Sequence, residues 1–396
     1  MNIVWITIES ILPANTGGRI GIFKRLEQIS KNNSIFLYYT MDSKDDIKYE
    51  AALKKYCKEV HGFLREGKSI ETLKKMTCAP YTVASRYNKK LVESVSYCLK
   101  HANIDLINVD SPHMGLNLLE LNTDIPIVLN QHNIEWMVYK NVAESSKNLM
   151  KKALYTEESL RFKLFEKKLY ERVNVSLFTF VSCDDKAYFE RIYGNKYRTA
   201  LVPVGAENHR CSYNWKNEKT NKIIFVGKMS YAPNVEGVIW FATKVLPLIK
   251  EKIRNVQFEV IGRDPVEEIK ALNKENEIKV VGGVPTVDEY YESADLAVVP
   301  LKHGGGVKVK LLEAIGFKIP VITTSVGVQG TDFNGDEIII ADEPEKMASL
   351  CVDLLKNRNK YKSMYEKLFK KFEMKYTWEA IGSNYEDMLR SVCKKN

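Results

Sequence analysis

Short apolar runs alternate with longer amphipathic stretches along the whole chain. The runs of strand length are 2–8, 34–40, 104–109, 125–130, 175–180 and 199–204 in the first half, and 222–226, 256–261, 278–281, 296–300, 319–323 and 337–340 in the second. Runs of this size, rich in β-branched residues, are typical of strands buried on both faces of a parallel sheet. Strands that alternate with helices indicate right-handed crossovers between parallel neighbours. We therefore predict an α/β protein with two doubly wound, Rossmann-like domains.

A polar stretch without apolar periodicity, residues 205–221, separates the two series of strands. We place the domain boundary there, which predicts one domain over 1–205 and a second over 206–375. The last residues, 376–396, have an apolar face at helical spacing, and we expect them to form a helix that packs back on the first domain. Residues 344–371 also have a helical pattern. Two such domains are expected to face each other across a cleft, and ligands bind beside the carboxyl ends of the strands in this architecture.

The most informative segment follows the predicted strand 296–300, where a glycine run leads into a helical pattern. The candidate binding residues in it are Gly304, Gly305, Gly306, Lys308, Val309, Lys310 and Glu313. Three glycines let a ligand approach the backbone closely, and two lysines with the helix dipole favour negative charge, so a diphosphate is the natural ligand. Glu313 lies about a turn and a half further along and can accept hydrogen bonds from sugar hydroxyls. The alternative is a solvated helix after a flexible loop.

Three further candidates follow other predicted strands. Lys228 comes after 222–226, where a strand-end cation can meet phosphate, although a plain surface lysine is the alternative. Gly17 and Gly18 form a predicted turn before a helix, which is neither a dinucleotide fingerprint nor a P-loop and can equally be a simple tight turn. His132 follows 125–130 with Glu135 nearby, and it is either a structural histidine or a hydrogen-bonding or proton-handling group near a reacting sugar.

Composition narrows the class of protein. The 396 residues are 45% hydrophobic and 28% charged, which is ordinary for a globular protein. Seven widely spaced cysteines without a CxxC pair make a disulfide framework or a zinc site unexpected. The N-terminus does not match a secretory signal, and no apolar stretch approaches the roughly 20 residues that span a bilayer. We therefore expect a cytoplasmic protein.

The net charge of +9 is concentrated in the first half, because residues 1–200 contribute +7 of it. Residues 140–172 combine basic side chains (Lys147, Lys151, Lys152, Lys163, Lys167, Lys168 and Arg172) with apolar ones (Leu149, Leu154, Leu160, Phe162, Phe165 and Leu169). A basic amphipathic helix of this kind can rest on anionic lipid headgroups, and packing on its own domain is the alternative. Nucleic acid is not an expected partner, since no basic stripe with interleaved aromatic residues is present.

Taken together, these residues resemble the retaining glycosyltransferases of the GT-B fold, and specifically the family 4 group that uses nucleotide-diphosphate sugars. The resemblance covers nearly the whole chain and is most specific over 293–300, 312–316 and 320–324, which look like the donor-site signature of that family. It implies that Glu313 binds the donor ribose, that the amides of Val309 and Lys310 meet the diphosphate, and that Lys228 is the basic residue of the donor domain.

The resemblance also implies roles in the first domain. Gly17 and Gly18 match the glycine loop that closes over the donor phosphate, and His132 matches a histidine that touches the transferred sugar. Residues 181–185 resemble the Ser-x-x-Asp segment at the end of that domain. The acceptor is expected to bind this domain.

Two positions depart from the family pattern. Gly305 stands where the first donor-site glutamate is usual, and the usual second lysine after Lys228 falls among Ala232, Pro233 and Asn234. We infer that Lys308 or Lys310 supplies the positive charge that compensates the leaving diphosphate in place of the usual residues. The candidate catalytic residues are His132, Lys228 and Lys308. No Asp-x-Asp metal signature stands at a strand end, so we expect neither a metal nor another cofactor.

The sequence therefore predicts a retaining, metal-independent glycosyltransferase. It would move a sugar from a nucleotide-diphosphate sugar to a glycan or lipid-linked acceptor in cell-surface polysaccharide synthesis, as a cytoplasmic protein peripheral to the inner face of the membrane. A nucleotide-sugar 2-epimerase of similar fold and a catalytically silent nucleotide-sugar-binding subunit remain the alternatives.

Overall fold

The computed structural model describes residues 1–65, 69–209 and 220–393, which fall into two compact units. The first unit comprises Met1–Val202 and the chain from Ile381 onward, and the second comprises Pro203–Ala380. Most of the polar stretch on which we placed the domain boundary, and Cys211 within it, lies outside the described residues.

Each unit is built on one parallel sheet. The strands of the first are β1 (Asn2–Thr7), β2 (Ser34–Met41), β3 (Glu59–Leu64), β4 (Leu106–Asp110), β5 (Ile127–Gln131), β6 (Val175–Phe180) and β7 (Thr199–Leu201). Those of the second are β8 (Lys222–Val226), β9 (Gln257–Ile261), β10 (Ile278–Gly282), β11 (Leu296–Val299), β12 (Val321–Thr323) and β13 (Ile339–Ile340). The orders β3-β2-β1-β4-β5-β6-β7 and β10-β9-β8-β11-β12-β13 confirm two doubly wound sheets.

Helices connect the strands. In the first unit they are α1 (Gly17–Ile29), α2 (Glu50–Leu53), α3 (Ile70–Lys75), α4 (Tyr81–Ala84), α5 (Lys89–His101), α6 (Gly115–Glu120), α7 (Glu135–Ser145), α8 (Leu149–Arg172) and α9 (Cys183–Tyr193). The later ones are α10 (Ala232–Trp240), α11 (Leu246–Lys250), α12 (Glu267–Lys270), α13 (Asp288–Ser293), α14 (Val309–Gly316), α15 (Ser325–Val328), α16 (Pro344–Lys356), α17 (Arg358–Lys375) and α18 (Trp378–Cys393). Three short 3₁₀ turns (Lys44–Tyr49, Pro112–Met114 and Gly194–Lys196) and one π turn (Phe241–Val245) complete the described secondary structure.

The central strands are buried along their length because helices cover both faces of each sheet. All five residues of β4 and of β5 are buried, although both strands carry polar side chains at Asn108, Asp110 and Asn130. Buried polar groups need hydrogen-bond partners, so these residues point to a polar network inside the first unit.

Helix α18 packs against the first unit from Ile381 onward. Its buried residues Ile381, Tyr385 and Leu389 are spaced four apart, so they lie on one face of the helix. A Cβ at Gly382 would lie 2.3 Å from the Cβ of Gln28 on α1, so the two helices approach closely there. The apolar face predicted for the C-terminal segment is thus the face that the helix buries.

Two predicted helices are each divided in the structure. The helical pattern over 344–371 contains a break at Asn357, where α16 ends and α17 begins. The basic segment 140–172 contains the end of α7 and all of α8, because Asn148 accepts a hydrogen bond from the amide of Lys151 at 3.1 Å and so starts a new helix.

Candidate functional site

Lys308 forms hydrogen bonds to the glycine run of the second unit, Gly304 to Gly306. Its ammonium donates hydrogen bonds to the carbonyl oxygens of Gly304, Gly305 and Gly306 at 3.1, 3.1 and 2.6 Å. The backbone φ angles of Gly304 and Gly306 are +119° and +68°, in the region that favours glycine. Lys308 itself is buried, so the main visible role of its side chain is to hold this run in one conformation.

Gly305 leaves room for a larger residue. A Cβ at this position would meet no atom within 4 Å, and the residue is exposed. The absence of a glutamate here is therefore not imposed by crowding.

Lys310 lies at the carboxyl end of β8, held by a residue that is distant in sequence. Its ammonium donates a 2.5 Å hydrogen bond to Oδ1 of Asn234, whose amide nitrogen donates to the carbonyl oxygen of Lys228 at 2.8 Å. A Cβ at Gly227 would lie 2.8 Å from Asn234 Nδ2 and 3.1 Å from Lys310 Cε, so glycine at this position makes room for the pair. Asn234, one of the three residues where a second lysine is usual, thus places the ammonium of Lys310.

Burial and neighbouring charges together set the pKa of Lys310. Burial lowers its pKa, the nearby Lys308 lowers it further, Glu313 acts in the opposite direction, and the resulting pKa is about 8. An anion bound beside Lys310 would favour the charged form of its ammonium.

The N-terminus of α14 also favours an anion. Val309 and Lys310 are the first two residues of the helix, and their amides precede its first backbone hydrogen bond, from Leu311 N to Lys308 O. Amides at this position have no acceptor within the helix and carry the positive end of its dipole.

Glu313 lies on the same helix and contacts a tyrosine. Tyr291 donates a hydrogen bond from its hydroxyl to Glu313 Oε2 at 3.2 Å, and the Tyr291 ring stacks on Phe317 at 4.5 Å between centroids. Burial raises the pKa of Glu313, Asp288 adds to the rise, and Tyr291 and Lys310 oppose it. The second carboxylate oxygen, Oε1, has no hydrogen bond in the described part of the chain and can accept one from a ligand hydroxyl.

Lys228 is exposed beside these residues. Its ammonium lies 3.7 Å from Asp264 Oδ2, and the two side chains are 57% and 62% exposed. An exposed pair of this kind contributes little to stability, so its disruption by an anionic ligand costs little.

Gly17 and Gly18 form the first turn of α1 rather than a turn before it, which corrects the sequence interpretation. Thr16 caps the helix by accepting a 3.4 Å hydrogen bond from the amide of Arg19. Both glycines are exposed and a Cβ at either would meet nothing within 4 Å. Their amides are therefore first-turn helix amides.

His132 follows β5 and faces a buried carboxylate. Its Nε2 lies 3.6 Å from Oδ1 of Asp110, whose side chain is fully buried and ion-paired with Arg25 at 3.0 Å. Burial would raise the pKa of Asp110, but Arg25 and His132 outweigh that effect and the pKa lies below its usual range. Asp110 is thus ionised beside the imidazole at neutral pH.

Two more carboxyl groups follow β5 and β6. Burial raises the pKa of Glu135 to about 7, with a smaller contribution from Asp185. Burial also raises the pKa of Asp185 to about 6, together with its neighbour Asp184. Both groups titrate near neutral pH, so they can donate or accept hydrogen bonds there.

The structure brings the predicted residues together in two groups. The group in the second unit consists of Lys228, Lys308, Val309, Lys310, Glu313 and the three glycines. In the first unit, His132 lies beside Asp110. Sequence reasoning named Asn234 only as a departure from the family pattern, and it missed Tyr291 and Asp110. Only Asp110 carried a usable signal, because it and Asn108 are polar residues two apart in an otherwise apolar strand.

The described residues contain neither a cluster of metal ligands nor a helix suited to span a membrane. Across 1–65, 69–209 and 220–393, no three His, Cys, Asp or Glu side chains are grouped as metal ligands would be. Within the same ranges, no helix combines the length and the apolar character needed to cross a bilayer.

Part of the second unit is similar to a known protein family. Residues 220–357 match the family model of the group 1 glycosyl transferases. That span contains Lys228, Asn234, Lys308, Lys310 and Glu313, so the cluster lies inside the matched domain.

Whole-chain similarity extends to a curated protein and to solved structures. An uncharacterized 44.6 kDa protein in the cps region of Klebsiella pneumoniae is 24% identical over 395 residues, covering 96% of this chain and 98% of that protein. The sucrose-phosphate synthase of Thermosynechococcus elongatus is similar with a TM-score of 0.65 at 16% identity, over 99% of both chains. Alr3699/HepE of Anabaena in complex with UDP is similar with a TM-score of 0.61 at 12% identity, over 99% of this chain and 100% of that one.

These likenesses establish the architecture. The chain has the GT-B fold. The predicted fold class is confirmed.

Proposed function

We propose that the protein is a retaining glycosyltransferase of the family 4 type. It transfers a sugar from a nucleotide-diphosphate sugar to a glycan or lipid-linked acceptor during cell-surface polysaccharide synthesis. The match of residues 220–357 to group 1 glycosyl transferases supports the transfer reaction, and the cps-region relative supports the pathway. The structures of the Anabaena protein with UDP and with UDP-glucose support a nucleotide-sugar donor.

One observation carries the proposal most directly. Lys310 is held at the end of β8 by Asn234, and Glu313 faces Tyr291 from the same helix. A cation at a helix N-terminus suits a diphosphate, and a carboxylate oxygen without a hydrogen-bond partner among the described residues, deeper along the helix, suits a ribose. The two residues therefore offer one group for each part of a nucleoside diphosphate.

The same residues fit the chemistry of sugar transfer. As the sugar–phosphate bond breaks, negative charge develops on the leaving diphosphate, and Lys310, Lys228 and the amides of α14 can stabilise it. Lys308 holds the glycine run in place beside them. In the retaining reaction proposed here the leaving phosphate takes the acceptor's proton on the same face of the sugar, so no enzyme nucleophile is required. The cationic groups make the reaction independent of a metal in this proposal.

A thermal-shift panel tests donor binding. UDP, GDP, ADP, TDP and their sugars are compared on the wild-type protein and on Glu313→Ala, because a ligand that binds only the folded state raises the melting temperature. We expect one base to stabilise the wild type and to stabilise Glu313→Ala less. The control is Glu366→Ala, an exposed glutamate of α17, which should behave as the wild type does. No shift with any nucleotide would contradict the proposal.

Turnover of the donor that binds separates the remaining possibilities. Transfer to an acceptor that persists in EDTA supports the proposal, whereas activity that vanishes with EDTA and returns with Mg²⁺ contradicts metal independence. Donor converted to an isomer without an acceptor would indicate a 2-epimerase. Binding without turnover across acceptors would indicate a nucleotide-sugar-binding subunit.

We also propose that α8 brings the enzyme to the inner face of the membrane. Five apolar side chains of this helix are between 59% and 84% exposed, namely Leu149, Met150, Leu154, Leu160 and Leu164. Phe162, Phe165 and Leu169 instead pack in the core of the first unit, so the helix has an apolar surface in addition to the face it buries. The exposed lysines Lys151, Lys152, Lys167 and Lys168 lie on the same helix. Apolar and cationic side chains together match an anionic lipid surface.

Vesicle binding tests this role. We expect the protein to cosediment with phosphatidylglycerol vesicles at low salt and to bind phosphatidylcholine vesicles weakly. Lys167→Gln with Lys168→Gln should weaken binding roughly thirtyfold, since each lysine near an anionic surface contributes about 1 kcal/mol. The matched control is Lys362→Gln with Lys370→Gln on α17. Equal binding by both double variants would contradict the proposal.

A further inference from the structure

Asp110 ends β4 at the centre of a buried polar network. Its Oδ1 accepts hydrogen bonds from Arg25 and from Asn130 Nδ2, each at 3.0 Å, and its Oδ2 accepts one from the indole of Trp5. The side chain has no exposed surface. The carboxylate is therefore fixed from three sides by groups of three different elements.

His132 is the next polar group beside this carboxylate. Arg25 and Asn130 take up the two lone-pair sites of Asp110 Oδ1, and Trp5 takes one site of Oδ2, so His132 faces the carboxylate as a close neighbour. The next polar atom near Oδ1 is Nε2 of His132, at 3.6 Å. That separation is longer than a direct hydrogen bond and short enough for the two groups to attract each other strongly out of water.

The His132 ring is oriented accordingly. Its Nε2 is inaccessible to solvent, and Asp110 is the acceptor it faces. The side chain is nevertheless 21% exposed. In the described part of the chain Nδ1 makes no hydrogen bond to protein and is not among the buried atoms that lack one, so it is open to a ligand. One nitrogen thus faces a buried anion and the other faces outward.

We propose that Asp110 is a positioning residue that holds the proton of neutral His132 on Nε2 and so leaves Nδ1 as a hydrogen-bond acceptor for a sugar hydroxyl. The negative charge of the carboxylate attracts an N–H and repels a nitrogen lone pair, so the nitrogen facing it carries the proton and the outward nitrogen carries the lone pair. The sugar hydroxyl as the ligand rests on the proposed function, whereas the tautomer does not.

The support for Asp110 extends to the C-terminal helix. Asn130 Nδ2 donates to Asp110 Oδ1 and also to Asn108 Oδ1 at 3.0 Å, and the hydroxyl of Tyr385 lies 2.6 Å from Asn108 Oδ1 and 2.9 Å from Asn130 Oδ1. Thr179 also bonds Asn130. Tyr385 therefore fixes the asparagine that fixes Asp110, although Asn108 Nδ2 and Arg25 Nη1 are buried without a hydrogen-bond partner among the described residues.

Nitrogen NMR of the whole protein tests the tautomer. The protein has six histidines, so His132 is assigned by the signal that disappears in His132→Asn. At about pH 8, where an ordinary histidine is neutral, we expect a protonated Nε2 and an unprotonated Nδ1. A protonated Nδ1, or the averaged signal of a free histidine, would overturn the proposal. The wild-type spectrum decides this without any variant and without donor or acceptor.

Two aspartate variants then assign the effect to Asp110. Asp110→Asn replaces the carboxylate by an amide that can donate, so we expect the His132 tautomer to shift toward protonated Nδ1. The matched control is Asp105→Asn, immediately before the opposite end of the same strand, where the carboxylate accepts a hydrogen bond from the amide of Asn2 at 2.7 Å. It should leave His132 unchanged, and an equal shift in both variants would overturn the assignment.

Kinetics test the link to the sugar. Loss of a residue that orients a reacting group typically costs tenfold to a hundredfold, so we expect Asp110→Asn to lower kcat by that factor with little change in the KM of the donor. Adding Asp110→Asn to His132→Ala should cost nothing further, because the two residues act as one unit. Additive losses would indicate a purely structural role. Absence of any nucleotide binding would refute the proposed function and leave the tautomer result standing.

Discussion

Replacing Lys310 by alanine is expected to weaken nucleoside diphosphate binding by about tenfold to a hundredfold. A hydrogen bond to a charged group contributes about 1.5–3 kcal/mol, and each 1.4 kcal/mol is a factor of ten. Isothermal titration at about pH 7 measures the change. The matched control is Lys302→Ala, an exposed lysine after β11 that donates to the carbonyl of Asp342. Equal affinities for both variants would contradict the role of Lys310.

The pH dependence of the same binding gives an independent test. The pKa of Lys310 is about 8, so the ammonium is charged below that pH and loses its proton as the pH rises through it. Since the diphosphate attracts only the charged form, we expect affinity to be highest below pH 8 and to decline above it. Lys310→Arg keeps its charge at every pH and should give a flat profile. A flat wild-type profile between about pH 7 and 9.5 would contradict the assignment.

Replacing Arg358 by methionine is expected to lower the free energy of unfolding of the second unit by about 3–5 kcal/mol. Arg358 begins α17 and forms an ion pair with Asp295, which precedes β11, and both residues are buried. Asp295 also accepts hydrogen bonds from Thr220 Oγ1 at 2.8 Å and from the amide of Lys222 at 3.2 Å. Removing Arg358 takes an ion-pair partner away from a buried carboxylate, which is the costly case.

Native-state hydrogen exchange measures this loss, because it follows the core amides of each unit separately in a chain that need not unfold in one step. Lys362→Met, which breaks the exposed Lys362–Glu366 pair on the same helix, should cost no more than about 1 kcal/mol. Adding Asp295→Asn to Arg358→Met should recover part of the loss. An Arg358→Met variant as stable as Lys362→Met would contradict the prediction.

The apolar periodicity of the chain was enough to predict the architecture, and the exceptions have physical causes. Strand β3 (Glu59–Leu64) was missed because it is an edge strand with an exposed Glu59 and only one fully buried residue, so it lacks a continuous apolar run. The breaks before α8 and at Asn357 were missed because each is short, three residues and one residue, and lies between segments that both have a helical pattern. Helix boundaries depend on such local hydrogen bonds more than on periodicity.

The candidate site was predictable only in its residue types. Glycines and lysines after a strand indicated an anion site, but nothing in the sequence tells that Lys308 turns back to its own loop while Lys310 reaches Asn234, 76 residues away. Likewise, His132 was identified by its place after a strand, whereas Asp110 acquires its role from Arg25, 85 residues earlier. Contacts of this kind depend on the folded geometry of several elements.

The hydrogen bonds from Lys308 to the glycine run reduce the entropy cost of ligand binding. Ordering the backbone of one residue costs about 1–2 kcal/mol at room temperature, and glycine loses more freedom than any other residue. Because the three carbonyls bond Lys308, a side chain of the protein itself, this cost for Gly304, Gly305 and Gly306 is met when the chain folds. A ligand that docks against the run therefore meets a surface already in place, and association there need not wait for a loop to order.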